Sequence, residues 1–155
     1  MNKILKFIYT EIAYNGHMQT IGSLFKSIFA AQLFMIKITW DFAVIVYLSL
    51  YLIYIYNRYK EMHIDYLTNI TRTEHLKKFD KHIPLIIFFI ILSLIILLYL
   101  FSTLKFSMFL GAAIILGLLY TDYFKGLTKK IFMFKNYYVA STFASSIFFP
   151  FLYYN

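Results

Sequence analysis

The chain has 155 residues, of which 61% are hydrophobic and 14% charged, and its mean hydropathy is +0.69. A soluble domain carries about 25% charged residues, so an ordinary water-soluble domain is excluded. There is no cysteine, which excludes disulfides and thiolate metal sites. The net charge of +8 would suit nucleic acid, but the basic residues border long apolar runs, as membrane topology expects. A nucleic-acid partner is therefore set aside, and the lipid bilayer is the expected surrounding.

In chain order, residues Met1–Tyr14 mix Lys3, Lys6 and Glu11 with Ile4, Leu5, Phe7, Ile8 and Ile12. The stretch is too short and too charged to cross a bilayer, and no small-residue cleavage site follows it. An amphipathic helix lying in the membrane interface is expected. Met18–Ile36 is a first, weak span, because it contains Gln32 and Lys26. A central lysine costs roughly 2.5–3.5 kcal/mol on the insertion scale, so Lys26 must snorkel or face a polar partner. Phe42–Tyr56 is a second span, with Trp40 at its interfacial start and no charge between Asp41 and Arg58.

Between Tyr56 and His82 lies the long polar insertion of the chain. Ile83–Leu104 follows as an uncharged third span, with Pro84 in its first turn, where a missing N–H does no harm. Phe106–Tyr120 is a shorter fourth span. Its Ala113 and Gly117 have the small-xxx-small spacing that lets helices approach closely. Tyr137–Tyr154 is the fifth, with Ala140/Ala144 and Ser141/Ser145 at the same spacing and Pro150 expected to kink or end it.

Five spans place the N-terminus and the polar loops 57–82 and 121–136 on one side of the membrane. Twelve basic residues fall there: Lys3, Lys6, Arg58, Lys60, Arg72, Lys77, Lys78, Lys81, Lys125, Lys129, Lys130 and Lys135. The other side has Lys37 and Lys105. This asymmetry makes the polar loops cytoplasmic and the protein an integral protein of the cytoplasmic membrane. It also sets aside the glycosylation-like Asn69-Ile70-Thr71. The expectation is all-α: one membrane domain over residues 1–155, a bundle of about five transmembrane helices plus the N-terminal amphipathic helix.

The chemistry-bearing residues lie in the first polar loop. If the second span runs on as a helix, Tyr47, Tyr51, Tyr54, Arg58, Glu61 and Asp65 share one face, with Asn57 at its rim. Asn57, Glu61 and Asp65, spaced by four, form a ladder of oxygens. Mg²⁺ prefers such oxygens and fills its other positions with water and substrate phosphate. Nearby Arg72, Lys77 and Lys78 could neutralise phosphate. The same spacing equally describes a solvated helix extension with charge pairing, and spacing alone does not choose between the two. The second loop, after the fourth span, presents Tyr120 and Lys125; alone it is an ordinary basic loop. His17, His63, His75 and His82 share no metal-binding spacing, and Asp41 is expected to pair with Lys37 in the outer loop.

Taken together, the two loops resemble the UbiA-type superfamily of intramembrane prenyltransferases. The stretch from Asn57 through Glu61 to Asp65 is similar to that family's Asn-Asp-x-x-Asp-x-x-x-Asp motif, with Arg58 in place of the first Asp and Glu61 as a conservative exchange. Asn69 and Arg72 follow like its Asn-Pro-x-Arg segment, with Ile70 where Pro is usual. Tyr120 and Lys125 look like its Tyr-plus-Lys motif, and Lys135-Asn136-Tyr137-Tyr138 like the start of its fifth span. The resemblance covers nearly all of this chain but about the N-terminal half of the family fold. The family's second acidic motif has no counterpart, since no residue beyond Asp122 is acidic.

The resemblance implies a truncated UbiA-like fold that binds a prenyl diphosphate through Mg²⁺. Asn57, Glu61 and Asp65 would be metal ligands, and Asn57, Arg58, Arg72 and Lys125 diphosphate contacts. Tyr120 and Lys125 would be the catalytic pair, and the prenyl group would pass to an aromatic, lipid or sugar-phosphate acceptor. A partner chain carrying the missing C-terminal helices is implied if the protein is active. The alternative is a non-catalytic membrane protein, either a truncated relic or a subunit needing that partner. A small transporter or channel subunit using Lys26 and the tyrosine face is a third class.

Overall fold

The computed structural model describes residues 3–124, 126 and 131–154; the side chains of residues 3, 63–65, 67, 68, 135 and 143 lie outside the description. Among the described residues the chain is helical throughout, with no strand. The helices are α1 (Lys3–Tyr14), α2 (His17–Leu33), α3 (Trp40–Thr68), α4 (Ile70–Lys77), α5 (Ile83–Phe101), α6 (Leu104–Asp122), α7 (Phe134–Ile147) and α8 (Phe149–Tyr154).

The central element is α3, which packs against α2, α4, α5 and α6. Phe42, Ile45, Val46, Leu52 and Ile55 of α3 are buried against Ile90 and Leu94 of α5, Phe106 and Leu110 of α6, and Phe149 and Tyr153 of α8. The second expected span and the polar stretch after it form one continuous helix of 29 residues. At 1.5 Å per residue this is about 43 Å long, against roughly 30 Å of bilayer hydrocarbon, so its last turns stand beyond the apolar layer. The expected loop 57–82 is thus mostly helix. Asn69 breaks it by capping α4, its side-chain oxygen accepting from the Arg72 backbone N–H at 3.3 Å. Asn69 at the N-cap thereby satisfies an orphan N–H of the first turn of α4.

Among the described residues three helical stretches are long and apolar enough to cross a membrane: Trp40–Met62, Ile83–Phe101 and Leu104–Asp122. They coincide with the second, third and fourth expected spans. The first and fifth expected spans take a different form. α2 has 17 residues, with Lys26 near its middle. The C-terminal segment is broken into α7 and α8 at Phe148. Pro150 has no N–H to give the Ser146 carbonyl four residues back, and that carbonyl accepts a backbone N–H of the α7 cap instead. The Ser27 hydroxyl of α2 donates to that carbonyl at 3.2 Å, so the break becomes a tie between helices. α8 is held at the start of α3: the Tyr154 hydroxyl accepts from the Thr39 N–H at 2.7 Å. The Asp41 carboxylate, expected to pair with Lys37, instead accepts from Tyr153 and, at 3.0 Å, from Thr39.

Candidate functional site

A cavity of about 460 Å³ lies among α2, α3, α6 and α7. Its floor is apolar, set by Phe109, Leu110 and Phe149, and small residues line its middle: Ala112 and Ala113 of α6, Ser141 and Ser145 of α7. At the other end it reaches Asn57, Tyr120 and Thr121, where α3 and α6 pass into their polar ends. The small-xxx-small pairs thus divide their work. At Gly117 a Cβ would stand 2.7 Å from Ile53 Cδ1, so the glycine lets α6 close on α3. Ser141 and Ser145 on α7 line the space left open.

The polar end brings the two sequence-predicted loops together. The Thr121 hydroxyl donates to Asn57 Oδ1 at 3.2 Å. The Tyr56 hydroxyl donates to Asp122 Oδ2 at 2.6 Å, and Lys60 Nζ lies 3.5 Å from Asp122 Oδ1. Tyr56, Asn57 and Lys60 project from one side of α3 because residues three and four apart share a face. Tyr120 stacks on Tyr138 of α7, ring centroids 4.6 Å apart, and the Tyr138 hydroxyl donates to the Leu116 carbonyl. These two rings close the cavity where α6 meets α7.

Of the expected site residues, Asn57 and Tyr120 line this cavity. Arg58 and Glu61 are half-buried on α3, Arg72 is half-buried on α4, and each is engaged by a neighbour. Asp65 belongs to α3, but its side chain lies outside the described residues, as does the whole of Lys125. The tyrosine face leads elsewhere than expected. Tyr51 stacks on His17 with centroids 4.3 Å apart, and Tyr47 hydrogen-bonds the same ring. Tyr54 contacts Ser23 at 3.4 Å. Much of this face is therefore covered by the start of α2 and does not form an open path to the carboxylates.

Asp122, Tyr56, Lys60 and Thr121 were not singled out as site residues by spacing. One signal for Asp122 was present: a carboxylate in the last turn of a helix faces the negative end of the helix dipole and needs a compensating partner. Lys60 supplies that charge.

Mg²⁺ favours octahedral oxygen ligands, commonly one or two carboxylates with water and phosphate. Among the described residues no group of three or more His, Asp or Glu side chains gathers as a metal site. Asn57 and Glu61 alone fall short of one, and Asp122 is occupied by Tyr56 and Lys60. What the described arrangement offers is an apolar chamber with hydroxyl and carboxamide groups at one end. No known protein family, curated protein or solved structure matches this chain.

Proposed function

We propose that the protein is a membrane-embedded prenyltransferase, or the N-terminal part of one, of the UbiA-like type, and that the cavity takes the tail of a prenyl diphosphate. The observation that carries this reading is the polar-ended apolar cavity between α3, α6 and α7. A prenyl diphosphate has the same division: an uncharged hydrocarbon tail and one highly charged end. The tail gains free energy by leaving water, roughly 25 cal/mol per Å² of apolar area buried. In this proposal the charged end lies at Asn57, Thr121 and Tyr120, with Arg58, Lys60 and Glu61 on the adjoining turn of α3. Arg72 and Lys125 complete the cationic set in this proposal, and Tyr120 and Lys125 serve the reacting end. Cations placed at the departing diphosphate stabilise the developing charge. Mg²⁺ enters this proposal through Asp65, which with Asn57 and Glu61 would hold the ion, and the ion would offset diphosphate charge.

The finer membrane topology belongs to the same proposal. α2 is turned inside out for a water-soluble helix. Thr20, Ser23 and Ser27 are buried in the bundle, whereas Phe25 and Phe29 are 62% and 61% exposed, in line with exposed Ile21 and Leu33. A helix with its hydroxyls inward and its large apolar stripe outward suits lipid, where polar groups must be satisfied within the protein. With α7–α8 as the fifth segment, the N-terminus, residues 57–82 and residues 121–136 lie on the cytoplasmic side.

Binding of a radiolabelled prenyl diphosphate to the purified chain in detergent tests the site. Ser145→Leu, which places a larger apolar side chain in the cavity, should reduce binding about tenfold or more. Unlabelled prenyl diphosphate should compete far better than pyrophosphate, because the tail contributes most of the burial. Retention of full binding by Ser145→Leu would overturn the placement of the tail. For the reaction itself, membranes containing the chain are assayed for prenyl transfer. Absence of transfer, with Glu61→Gln and Asp65→Asn behaving like the parent, would overturn the enzyme reading.

A second reading is a non-catalytic membrane subunit, or one that acts only with a partner chain supplying a second acidic motif. The closed Tyr56–Asp122–Lys60 cluster favours it, because an acid already satisfied by a hydroxyl and an ammonium serves to join α3 to α6.

A further inference from the structure

A second cavity, of about 340 Å³, lies between the amphipathic helix α1 and α4, apart from the prenyl site. Lys6 and Thr10 line it from α1, and Thr71, Glu74 and Lys78 from the α4 side. Its inner wall is fixed by a hydrogen-bond contact between helices, His75 Nε2 to Glu11 Oε2 at 2.9 Å, with His75 itself buried. Phe7 and Phe79 meet edge to face beside it, centroids 6.5 Å apart. On the other side of α1, Ile4, Leu5 and Ile8 are exposed, at 66%, 59% and 46%.

We infer that this cavity is a binding site for the phosphodiester headgroup of an acidic phospholipid. Three features converge on that chemistry. Lys6 and Lys78 line the cavity against one lining carboxylate, Glu74, and a phosphodiester carries one negative charge. The hydroxyls of Thr10 and Thr71 add neutral hydrogen-bonding groups for a polyol head. The exposed apolar side chains on the opposite face of α1 give the same helix a surface for the hydrocarbon of the bilayer. An amphipathic helix with such a face rests at the headgroup boundary of a bilayer. Clustered lysines near a membrane surface attract anionic lipid. This inference does not depend on the prenyltransferase proposal.

The test is the thermal unfolding midpoint of the full chain in neutral detergent. The probes are added dioleoylphosphatidylglycerol, dioleoylphosphatidylethanolamine, dioleoylphosphatidylcholine or inorganic phosphate. Phosphatidylglycerol at about a hundredfold excess over its Kd should raise the midpoint by about 5 °C, and the other three should not. Lys6→Gln with Lys78→Gln should abolish the rise. Lys37→Gln with Lys105→Gln, which removes as many charges at the far end of the bundle, should retain it. Glu74→Gln should produce the rise at lower lipid concentration, and this arm decides the question should the double lysine variant fail to fold. An equal rise from phosphatidylcholine or phosphatidylethanolamine would overturn the acidic-lipid assignment. Inorganic phosphate reproducing the rise would show a free-anion site instead, and an undiminished rise in the Lys6/Lys78 variant would remove the site from this cavity.

Discussion

Three glycines carry different expectations for the same substitution. Gly16, between α1 and α2, has φ +92°, and a Cβ there would meet Tyr54 Cβ at 3.1 Å. An L-residue in that region costs roughly 1–2 kcal/mol, so Gly16→Ala should destabilise by about that much or more. Gly117→Ala drives a methyl into Ile53 and should cost roughly 1–3 kcal/mol as overpacking. Gly22 lies within α2 with nothing within 4 Å of its Cβ position, so Gly22→Ala should be neutral or stabilising by up to about 1 kcal/mol. Denaturant titration in micelles would rank the three. The role of Gly117 was partly legible in its spacing from Ala113, because close helix approach has a spacing rule. That of Gly16 was not, since its φ depends on how α1 folds back on the bundle. Asn57 was legible as a polar residue ending an apolar run. Its partner Thr121, 64 positions later, was not, because spacing along a chain carries no information about which helices lie side by side.

At the level of the elements, the break between α7 and α8 shows how one missing N–H is handled. Pro150 was expected to kink or end its span. The helix partner that answers it, Ser27 on α2, depends on the packing of two segments more than a hundred residues apart. Ser27→Ala should destabilise by roughly 0.5–1.5 kcal/mol, the net contribution of one hydrogen bond, since the Ser146 carbonyl keeps a backbone N–H of the α7 cap. Pro150→Ala offers Ser146 an alternative donor, so the penalty of Ser27→Ala should shrink in that background. A double-mutant cycle by chemical unfolding measures this coupling, and strict additivity would count against the tie. α3 illustrates the opposite case. Its continuation through Asn57 and Glu61 was legible because charged residues with helix-compatible spacing follow the apolar run. The point at which it stops, at Asn69, was not read from the sequence.

For the whole molecule, the question is how many segments cross the bilayer. The absence of cysteine makes any introduced cysteine the only thiol in the chain. With five crossings, Lys3→Cys and Lys37→Cys lie on opposite sides of the membrane; with three, they lie on the same side. Labelling of oriented vesicles by a membrane-impermeant maleimide should show Lys3→Cys reacting with Glu74→Cys from the cytoplasmic face and Lys37→Cys from the other. Labelling of Lys3→Cys and Lys37→Cys from one face would reduce the bundle to the three crossings of α3, α5 and α6. Asp122 belongs at this scale as well. Joined to Tyr56 and Lys60, it sets the distance between the ends of α3 and α6, and with it the polar end of the cavity.

The sequence by itself determined the apolar surroundings and the all-helical class of this protein. Long apolar runs need lipid, and in lipid a backbone satisfies its own hydrogen bonds most simply as helix. It also determined that the polar groups cluster in two stretches after apolar helices. Only the tertiary structure decided which polar groups meet. It turned the tyrosine face toward His17 and α2, matched Asn57 with Thr121 and Asp122 with Tyr56 and Lys60, and left a cavity where Ser141 and Ser145 face the small residues of α6. The physical reason is that helix periodicity assigns residues to faces, whereas the rotation of each helix against its neighbours is settled by packing among side chains distant in sequence.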